Sequence, residues 1–556
     1  MPRDAVWARE LLARQGENHG TMRLSKLRID NHNRLTDVEI EVREHLVLVG
    51  ANDVGKSSVL RCLQLALGAS AAQLYAQITS EDFRDANQDL VIEVTLVDFS
   101  KDEEAAFPDE INADPNGGPS TMTVRVTASV DSEDSLSIER IAVGSGTRRQ
   151  LSRVQLETIG WRFLGATSQS RELRSDRRSA LTDLLAAVEL GVEQADFDKA
   201  VETLTDTLAD SKVLKQVRQD LASQLTKALP NKVKTKDLAF VPGSSADKDA
   251  LSDVRLHVQK DGALRDLAAQ SDGTRALYAI ALYDLTSSGA NVVGIDEPEI
   301  HLHPTSQRSL ARLLKASGSQ KILATHSPDI VGAFNSDSIV LVRPGGRIVQ
   351  PNAGFLSQDE RTTVRWWVRD RLEPLTAARV IAVEGLADRI IVERAAELTD
   401  RTLDRLGVSL LEANGFGDMG AIDTLFGKDG FDVPVSMLID EDAENKVAKR
   451  LGVAVADLNT NFVWVSRLDL EDEYVRAIGG GALATALQAS TLFKPNEIVF
   501  LKASGPGGTF TDADVATFCR TKKVQSALVA VTLMGETDAR AITSIEGMLA
   551  QIEAAL

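Results

Sequence analysis

The order of apolar and polar residues divides the chain into alternating strand and helix segments. Three short runs between residues 21 and 50, MRLSKLRID, DVEIEV and HLVLVG, predict strands, and the last leads through a glycine-rich turn into the helix SSVLRCLQLALG. Residues 90–142 hold further strand-like runs, and residues 151–236 have a mostly helical period. Residues 265–345 and the segment after about 378 return to α/β alternation, so the pattern predicts an α/β chain.

This order predicts two α/β domains, the first of them interrupted. We expect a first domain built from residues 1–150 and 261–350, with a helical insertion at 151–260. A junction at 351–378 and a second, Rossmann-like domain at 379–556 complete the prediction.

Composition limits the class of protein. The 556 residues carry a net charge of −19, which argues against a general nucleic-acid coat, and two cysteines exclude a disulfide framework. The first twenty residues mix charges, and no stretch approaches eighteen uninterrupted apolar residues. A soluble, cytoplasmic protein without a membrane span is expected.

The segment from Gly50 to Ser57, GANDVGKS, matches the phosphate-loop spacing G-x-x-x-x-G-K-[ST] without deviation. Its glycines let backbone N–H groups face phosphate, Lys56 contacts the β- and γ-phosphates, and Ser57 ligates Mg²⁺. A structural glycine turn is the alternative, which the preceding strand and following helix disfavour. The predicted ATP-binding residues of the loop are Gly50, Asn52, Gly55, Lys56, Ser57 and Ser58.

A second acidic element supports the same site. The apolar run VVGI ends in Asp296 and Glu297. Asp296 is expected to hold Mg²⁺ and Glu297 to polarise the attacking water, although such pairs are also common at strand ends.

Two further pieces narrow the class. Ser271 and Gly273 precede a helix, and His326 ends the strand-like run KILAT. With the phosphate loop, this set resembles the ABC ATPase head of the RecF/SMC-like group. The resemblance implies that Ser271 and Gly273 cap the γ-phosphate bound by another subunit and that His326 is the switch histidine; a helix cap and a loop histidine are the alternatives. The glutamine loop is not placed (Gln77 is a weak candidate).

Acidic residues also follow two strand-like runs of the second α/β domain. Glu384 ends RVIAV, Asp388 lies one helical turn later, and Asp440 and Asp442 follow VSMLI. Acids at the carboxyl edges of neighbouring parallel strands meet at one crevice, where Mg²⁺ or Mn²⁺ relieves their repulsion. If the chain stays extended, Asp440 and Asp442 share a face. Solvated acids at loop starts are the alternative.

These acids resemble those of the Toprim domain, in which the Glu of the E-G turn and the D-x-D pair bind the catalytic metal. The resemblance assigns metal binding to Glu384, Asp440 and Asp442, with Asp388 and Glu471 as second-metal ligands. A topoisomerase needs a tyrosine in a DNA-gate domain, for which no region remains. Two-metal hydrolysis needs no such domain.

An ABC head followed by a Toprim domain resembles the OLD (overcoming lysogenization defect) family of nucleases, which includes the Gabija nuclease subunit. The resemblance implies a catalytic role for Lys523, for which a solvent lysine is the alternative. It also implies DNA as substrate, a homodimer or higher homo-oligomer joined through the heads and the helical insertion, and a role in anti-phage defence with a helicase or other partner.

Three readings remain open at this point. One is an ATP-controlled, metal-dependent endonuclease, and a second is a RecF/SMC-like DNA repair or clamp protein with an inactive Toprim domain. In a third, the ATPase is a sensor whose bound nucleotide restrains the nuclease. Residues 212–236, here called the basic strip, contain seven Lys or Arg and one acid. This strip is either a phosphate-contacting surface or the solvated face of helices. Arg171, Arg174, Arg177 and Arg178 cluster nearby in the sequence.

Overall fold

The structure, a computed structural model, divides into two compact units. Described residues up to Gln350 form the first unit and those from Pro351 onward form the second. The structure describes residues 22–114, 116–130, 135–143, 149–165, 203–229, 231–241, 255–260, 262–266, 270–286, 290–355, 372–413, 422 and 425–555.

The first unit contains an antiparallel sheet whose strands alternate buried and exposed residues. Its strand order is β2-β1-β4-β5-β6-β7. This alternation is typical of a sheet with one face on a core. The strands are β1 Arg23–Asp30, β2 Val38–Glu41, β4 Leu90–Val97, β5 Thr121–Val130, β6 Leu136–Val143 and β7 Arg149–Gln150.

A mostly parallel sheet forms the centre of the first unit, in the order β15-β14-β3-β13-β12-β8. Strands β3, β12 and β13 are buried along their whole length; β3 is entirely apolar, whereas β12 ends in Asp296 and β13 begins with two buried polar residues. Its strands are β3 Leu46–Val49, β8 Trp161–Leu164, β12 Val292–Asp296, β13 Gln320–Thr325, β14 Ile339–Arg343 and β15 Arg347–Val349.

The predicted insertion contributes a strand to this central sheet. Strand β8 pairs in parallel with β12, so residues 161–164 belong to the core and not to a separate helical segment. A small antiparallel sheet, β11-β10-β9, also falls in or next to the predicted insertion, with β9 at Leu238–Val241, β10 at Arg255–Lys260 and β11 at Ala263–Asp266. The arginines at 171, 174, 177 and 178 lie outside the described residues.

Helices cover the sheets of the first unit. Helix α1 follows β3 directly, and α5, which carries part of the basic strip, packs against α6 and α7. The helices are α1 Lys56–Leu63, α2 Ala71–Gln77, α3 Lys101–Ala106, α4 Arg153–Ile159, α5 Lys212–Ala228, α6 Asp272–Thr286, α7 Pro304–Ala316 and α8 Pro328–Val331.

The second unit is built on a four-stranded parallel sheet in the order β17-β16-β18-β19. Its strands are β16 Arg379–Val383, β17 Val408–Glu412, β18 Val435–Asp440 and β19 Val463–Ser466. Because β16 and β18 are neighbours, the residues that follow them lie at the same sheet edge.

Helices from the end of the chain pack over this sheet and supply much of the apolar core. Among the described residues, no helix is long and apolar enough to cross a bilayer. The helices are α9 Glu373–Thr376, α10 Leu386–Leu398, α11 Glu444–Leu451, α12 Leu470–Ile478, α13 Gly480–Ala489, α14 Pro495–Ile498, α15 Asp512–Thr521, α16 Lys523–Leu533, α17 Glu536–Ala541 and α18 Thr543–Ala555.

Candidate nucleotide site and acidic cluster

The phosphate-loop motif forms the turn between β3 and α1. Lys56 is 4% exposed, and its Nζ donates to the carbonyl oxygens of Gly50, at 2.8 Å, and Ala51, at 2.7 Å. A Cβ on Gly50 would lie 2.2 Å from the carbonyl oxygen of Val342 on β14, so only glycine fits here. The lysine is therefore held inside the loop by backbone carbonyls. Asn52 and Asp53 are exposed in the same turn.

The two expected magnesium-binding residues are in direct contact. The Ser57 hydroxyl donates to Asp296 Oδ1 at 3.0 Å. Burial raises the pKa of Asp296, the Ser57 hydrogen bond opposes the rise, and Glu297 adds to it. Burial lowers the pKa of Lys56 against the attraction of Glu297, Glu299 and Asp296. Neighbouring Ser58 is buried in α1.

A cavity of about 540 Å³ adjoins this pair, and Ser57, Asp296 and Gln77 are among its lining residues. Gln77, the weak candidate for the glutamine loop, thus lies near the expected metal position. The cavity is large enough to admit a ligand group beside the Ser57 hydroxyl.

Glu297 and His326 stand at the ends of adjacent parallel strands, β12 and β13. Glu297 has a φ of 45°, a left-handed conformation that is uncommon for residues other than glycine. His326 Nδ1 lies 4.0 Å from Glu297 Oε1 and 3.1 Å from Glu299 Oε1. The structure therefore brings His326 to the acidic pair, and it adds Glu299, which sequence reasoning missed. The sequence signal that could have identified Glu299 is its position as a third acid, two residues after Glu297.

Ser271 and Gly273, the residues expected to cap the γ-phosphate of another subunit, lie at the start of α6. Ser271 is exposed and its hydroxyl hydrogen-bonds with that of Thr274 at 2.9 Å. A Cβ on Gly273 would lie 2.4 Å from the carbonyl oxygen of His301, so this glycine lets α6 approach the loop after β12. His303 accepts a hydrogen bond from Thr305 N at 3.4 Å and so caps the start of α7.

A group of four carboxylates and one lysine lies at the carboxyl edge of the second sheet. We call it the acidic cluster; its members are Glu384, Asp388, Asp440, Glu471 and Lys523. Glu384 follows β16, Asp440 ends β18, and Glu471 and Lys523 stand in the first turns of α12 and α16. The charges acting on Asp440 come from the other four members of the cluster.

Asp442 is placed differently. The chain turns into a 3₁₀ helix, Glu441–Ala443, directly after Asp440, and Asp442 is exposed. The expectation of an extended chain through Asp442 is therefore wrong, because residues two apart share a face only in a strand. Its role as a metal ligand stays a prediction.

Burial opposes ionisation of the clustered carboxyl groups. Burial raises the pKa of Asp440 to about 8 and that of Asp388 to about 6; in Asp388 a hydrogen bond from Gly385 N at 3.0 Å opposes the rise. Burial also raises the pKa of Glu471, which is 1% exposed and whose Oε2 has no hydrogen-bond partner among the described residues. Such buried carboxylates need a cation to be stable as anions.

Lys523 supplies part of that positive charge. Its Nζ lies 3.5 Å from Glu471 Oε1 and 3.9 Å from Glu384 Oε2. Burial would lower the pKa of Lys523, but the four carboxylates raise it. Lys522 points elsewhere and pairs with Glu497 at 2.5 Å. The geometry distinguishes the two lysines, which the sequence does not.

The cluster fits a divalent cation by its chemistry. All its anionic donors are carboxylate oxygens, the ligands that Mg²⁺ and Mn²⁺ prefer. Within the part of the chain that the structure describes, the buried Oε2 of Glu471 has no hydrogen-bond partner. Among the described residues, no three His, Cys, Asp or Glu side chains already form a metal-binding group. In this arrangement the Lys523 ammonium neutralises the acids, so metal binding requires the side chains to adjust.

Together, the two units define the class: an ATPase head joined to a Toprim unit. The family described as "AAA domain, putative AbiEii toxin, Type IV TA system" matches residues 46–332, more than half of the chain, and the protein belongs to it. The TOPRIM domain of overcoming lysogenization defect protein-like proteins matches residues 375–442. The expected OLD-family resemblance and the α/β fold class are confirmed.

Some curated relatives are similar to this chain over most of its length, and others over a part of it. The OLD nuclease of Thermus scotoductus is 23% identical over 75% of this chain and 82% of its own. The endonuclease GajA of Bacillus cereus is 22% identical over 39% of each chain. Among solved structures, an SMC head bound to the C-terminal winged-helix domain of ScpA has a TM-score of 0.39 at 18% identity, covering 60% of this chain and 98% of that one.

Proposed function

We propose that the protein is a divalent-metal-dependent DNA endonuclease whose activity is controlled by ATP bound in its first unit. The observation that carries this proposal is the acidic cluster, in which the buried Glu471 lies beside Lys523 and has one oxygen with no hydrogen-bond partner among the described residues. An inert Toprim fold has no need to retain several ionisable groups whose burial costs stability. The similarity to proteins named as nucleases supports the same reading.

Glu384, Asp388, Asp440 and Glu471 are the residues that would hold the ions, with Asp442 available from its exposed turn. When bound, divalent cations lower the pKa of coordinated water and neutralise charge on the scissile phosphate. Lys523, which lies beside Glu384 and Glu471, would supply a positive charge near the scissile phosphate. The cluster would thus provide both anionic ligands for the ions and a cation for the phosphate.

In the first unit, the phosphate loop, Ser57 and Asp296 would bind ATP with Mg²⁺, and Glu297 would activate water for hydrolysis. Ser271 is exposed at the start of α6. We propose that it contacts nucleotide held by a second copy of the chain, which makes the protein a homodimer or a higher oligomer. Light scattering of the Glu297→Gln variant with and without ATP tests this, and a mass unchanged from the monomer in both conditions contradicts it.

The central experiment incubates supercoiled plasmid with Mg²⁺ or Mn²⁺, with and without ATP, and measures nicked and linear products. We expect the wild type to break strands and Asp440→Asn to reduce the rate at least 100-fold. Asp457→Asn, which neutralises an exposed acid after the same strand, is the matched control and should cleave like the wild type. Cleavage by Asp440→Asn at the wild-type rate contradicts the proposed metal site.

Lys56→Ala separates the possible roles of nucleotide. If ATP drives cleavage, this variant loses it; if ATP restrains the nuclease, cleavage persists or increases. Plasmid binding without any strand break, in the wild type and with either metal, would instead support a clamp with an inactive Toprim unit.

We also propose a cytoplasmic role in defence against phage, on the similarity to the OLD nuclease and GajA. The test compares phage plating on two bacterial strains. Both carry the gene with its native neighbours, and one of them carries the Asp440→Asn variant in place of the wild type. Protection by the wild type alone supports the role, and equal plating on both strains contradicts it.

A further inference from the structure

Glu299 is a buried carboxylate that connects the loop after β12 to the end of β13. It is 4% exposed. Its Oε1 accepts hydrogen bonds from Thr325 Oγ1 at 2.7 Å and from the backbone N–H of His326 at 2.6 Å. The same oxygen lies 3.1 Å from His326 Nδ1. One carboxylate oxygen therefore contacts both the main chain and the ring of His326.

The ring of His326 is otherwise open to solvent. Its side chain is 51% exposed, and its other acidic neighbour, Glu297, is farther away at 4.0 Å. An exposed histidine samples several rotamers and two neutral tautomers unless a partner selects one. A carboxylate beside Nδ1 favours the form that carries a proton there, which leaves Nε2 as the nitrogen free to face another group.

The burial of Glu299 argues that this contact has a use. Its Oε2 is buried without a hydrogen-bond partner among the described residues, and an ionised carboxylate in this state is costly. Glu299 also belongs to the electrostatic surroundings of Lys56 and Asp296. The charge of Glu299 therefore acts on Lys56 of the phosphate loop as well as on His326.

We propose that Glu299 is a positioning residue for ATP hydrolysis, holding His326 through Nδ1 so that Nε2 faces the γ-phosphate. This inference rests on the proposed ATPase function of the first unit. Glu299 itself does not contact nucleotide; it fixes the histidine and the turn that carries it. A purely structural role would stabilise the same turn without affecting turnover through His326.

A double-variant cycle tests the proposal, with steady-state ATP hydrolysis measured for Glu299→Gln, His326→Ala and both together. We expect Glu299→Gln to lower kcat on the order of tenfold, as loss of an orienting partner does, with KM for ATP changed less than threefold. In the His326→Ala background, Glu299→Gln should change kcat less than twofold, because its effect passes through the missing ring.

Asp329→Asn is the matched control, since Asp329 is a carboxylate three residues beyond His326 that pairs with Arg308 at 3.2 Å. It should hydrolyse ATP within twofold of the wild type. Thr325→Val removes the hydroxyl donor to Glu299 and keeps the charge, so it provides a second variant that should also be coupled to His326→Ala.

If the decreases in kcat multiply in the double variants, or if KM increases while kcat is unchanged, then Glu299 is not a positioning residue for His326. Either result would leave the proposed ATPase function intact. A wild-type chain that binds ATP without hydrolysing it would refute the ATPase function on which the inference rests. The two failures are therefore distinguishable.

Discussion

Replacing Asp440 by Asn should make the metal-free protein more stable while abolishing its response to metal. Burial raises the pKa of Asp440 from 3.8 to about 8. Between these values the folded chain keeps a proton that the unfolded chain has released, so stability falls as pH rises through this window. Above pH 8 the ionised side chain imposes its full cost, and below pH 3.8 it imposes none.

The size of the effect follows from the pKa difference. At about 1.4 kcal/mol for each pH unit, the full difference corresponds to roughly 6 kcal/mol. Because Asp440 is only partly buried, solvent screens part of this cost, and we expect on the order of 2 kcal/mol at pH 8.5. The Asn carbonyl can keep the hydrogen bond from Leu470 N, at 3.2 Å in the native protein. In a unit of this size, a stabilisation of about 2 kcal/mol raises the midpoint temperature of unfolding by about 4–8 °C.

Scanning calorimetry at pH 5 and pH 8.5, with EDTA or Mn²⁺, provides the measurement. The transition of the second unit is the one that Mn²⁺ raises in the wild type. We expect Asp440→Asn to raise this transition most at pH 8.5 in EDTA, to raise it by a smaller amount at pH 5 and to remove the Mn²⁺ response; Asp457→Asn is the control. A variant no more stable than the wild type at pH 8.5 would refute the argument that burial holds this carboxylate in an unfavourable state.

Three other sets of variants test separate parts of the structure. Lys523→Ala should reduce plasmid cleavage about 100-fold and Lys522→Ala less than threefold, and equal losses in the two would contradict the geometric distinction between them. Gly50→Ala should destabilise the first unit by about 1–3 kcal/mol and weaken ATP binding, as measured by urea unfolding and titration, whereas Gly318→Ala, with no atom within 4 Å of the added Cβ, should do neither. In the basic strip, Lys232, Lys234 and Lys236 are replaced together by glutamate. This charge reversal should weaken DNA binding and reduce its dependence on salt concentration. An unchanged salt dependence would favour a merely solvated surface.

The sequence predicted the features that are formed by residues next to one another in the chain. The phosphate loop needs only the strand–turn–helix order around Gly50 to Ser57, and the acids at strand ends follow from short apolar runs. The family resemblance added Glu471 and Lys523, which no local pattern connects to Asp440. The pairing of β8 with β12 was missed, because strand pairing between distant segments has no local signature in one sequence.

What the sequence determined by itself was therefore the kind of chemistry in each half: a loop suited to phosphate and a set of carboxylates suited to divalent cations. Only the tertiary structure decided which of those groups meet. It placed Glu471 and Lys523 together beside Asp440, turned Asp442 outward through a 3₁₀ helix, and brought Glu299 to His326. The physical reason is that backbone conformation depends on neighbouring residues, whereas convergence of side chains depends on how helices pack onto the sheet from distant parts of the chain.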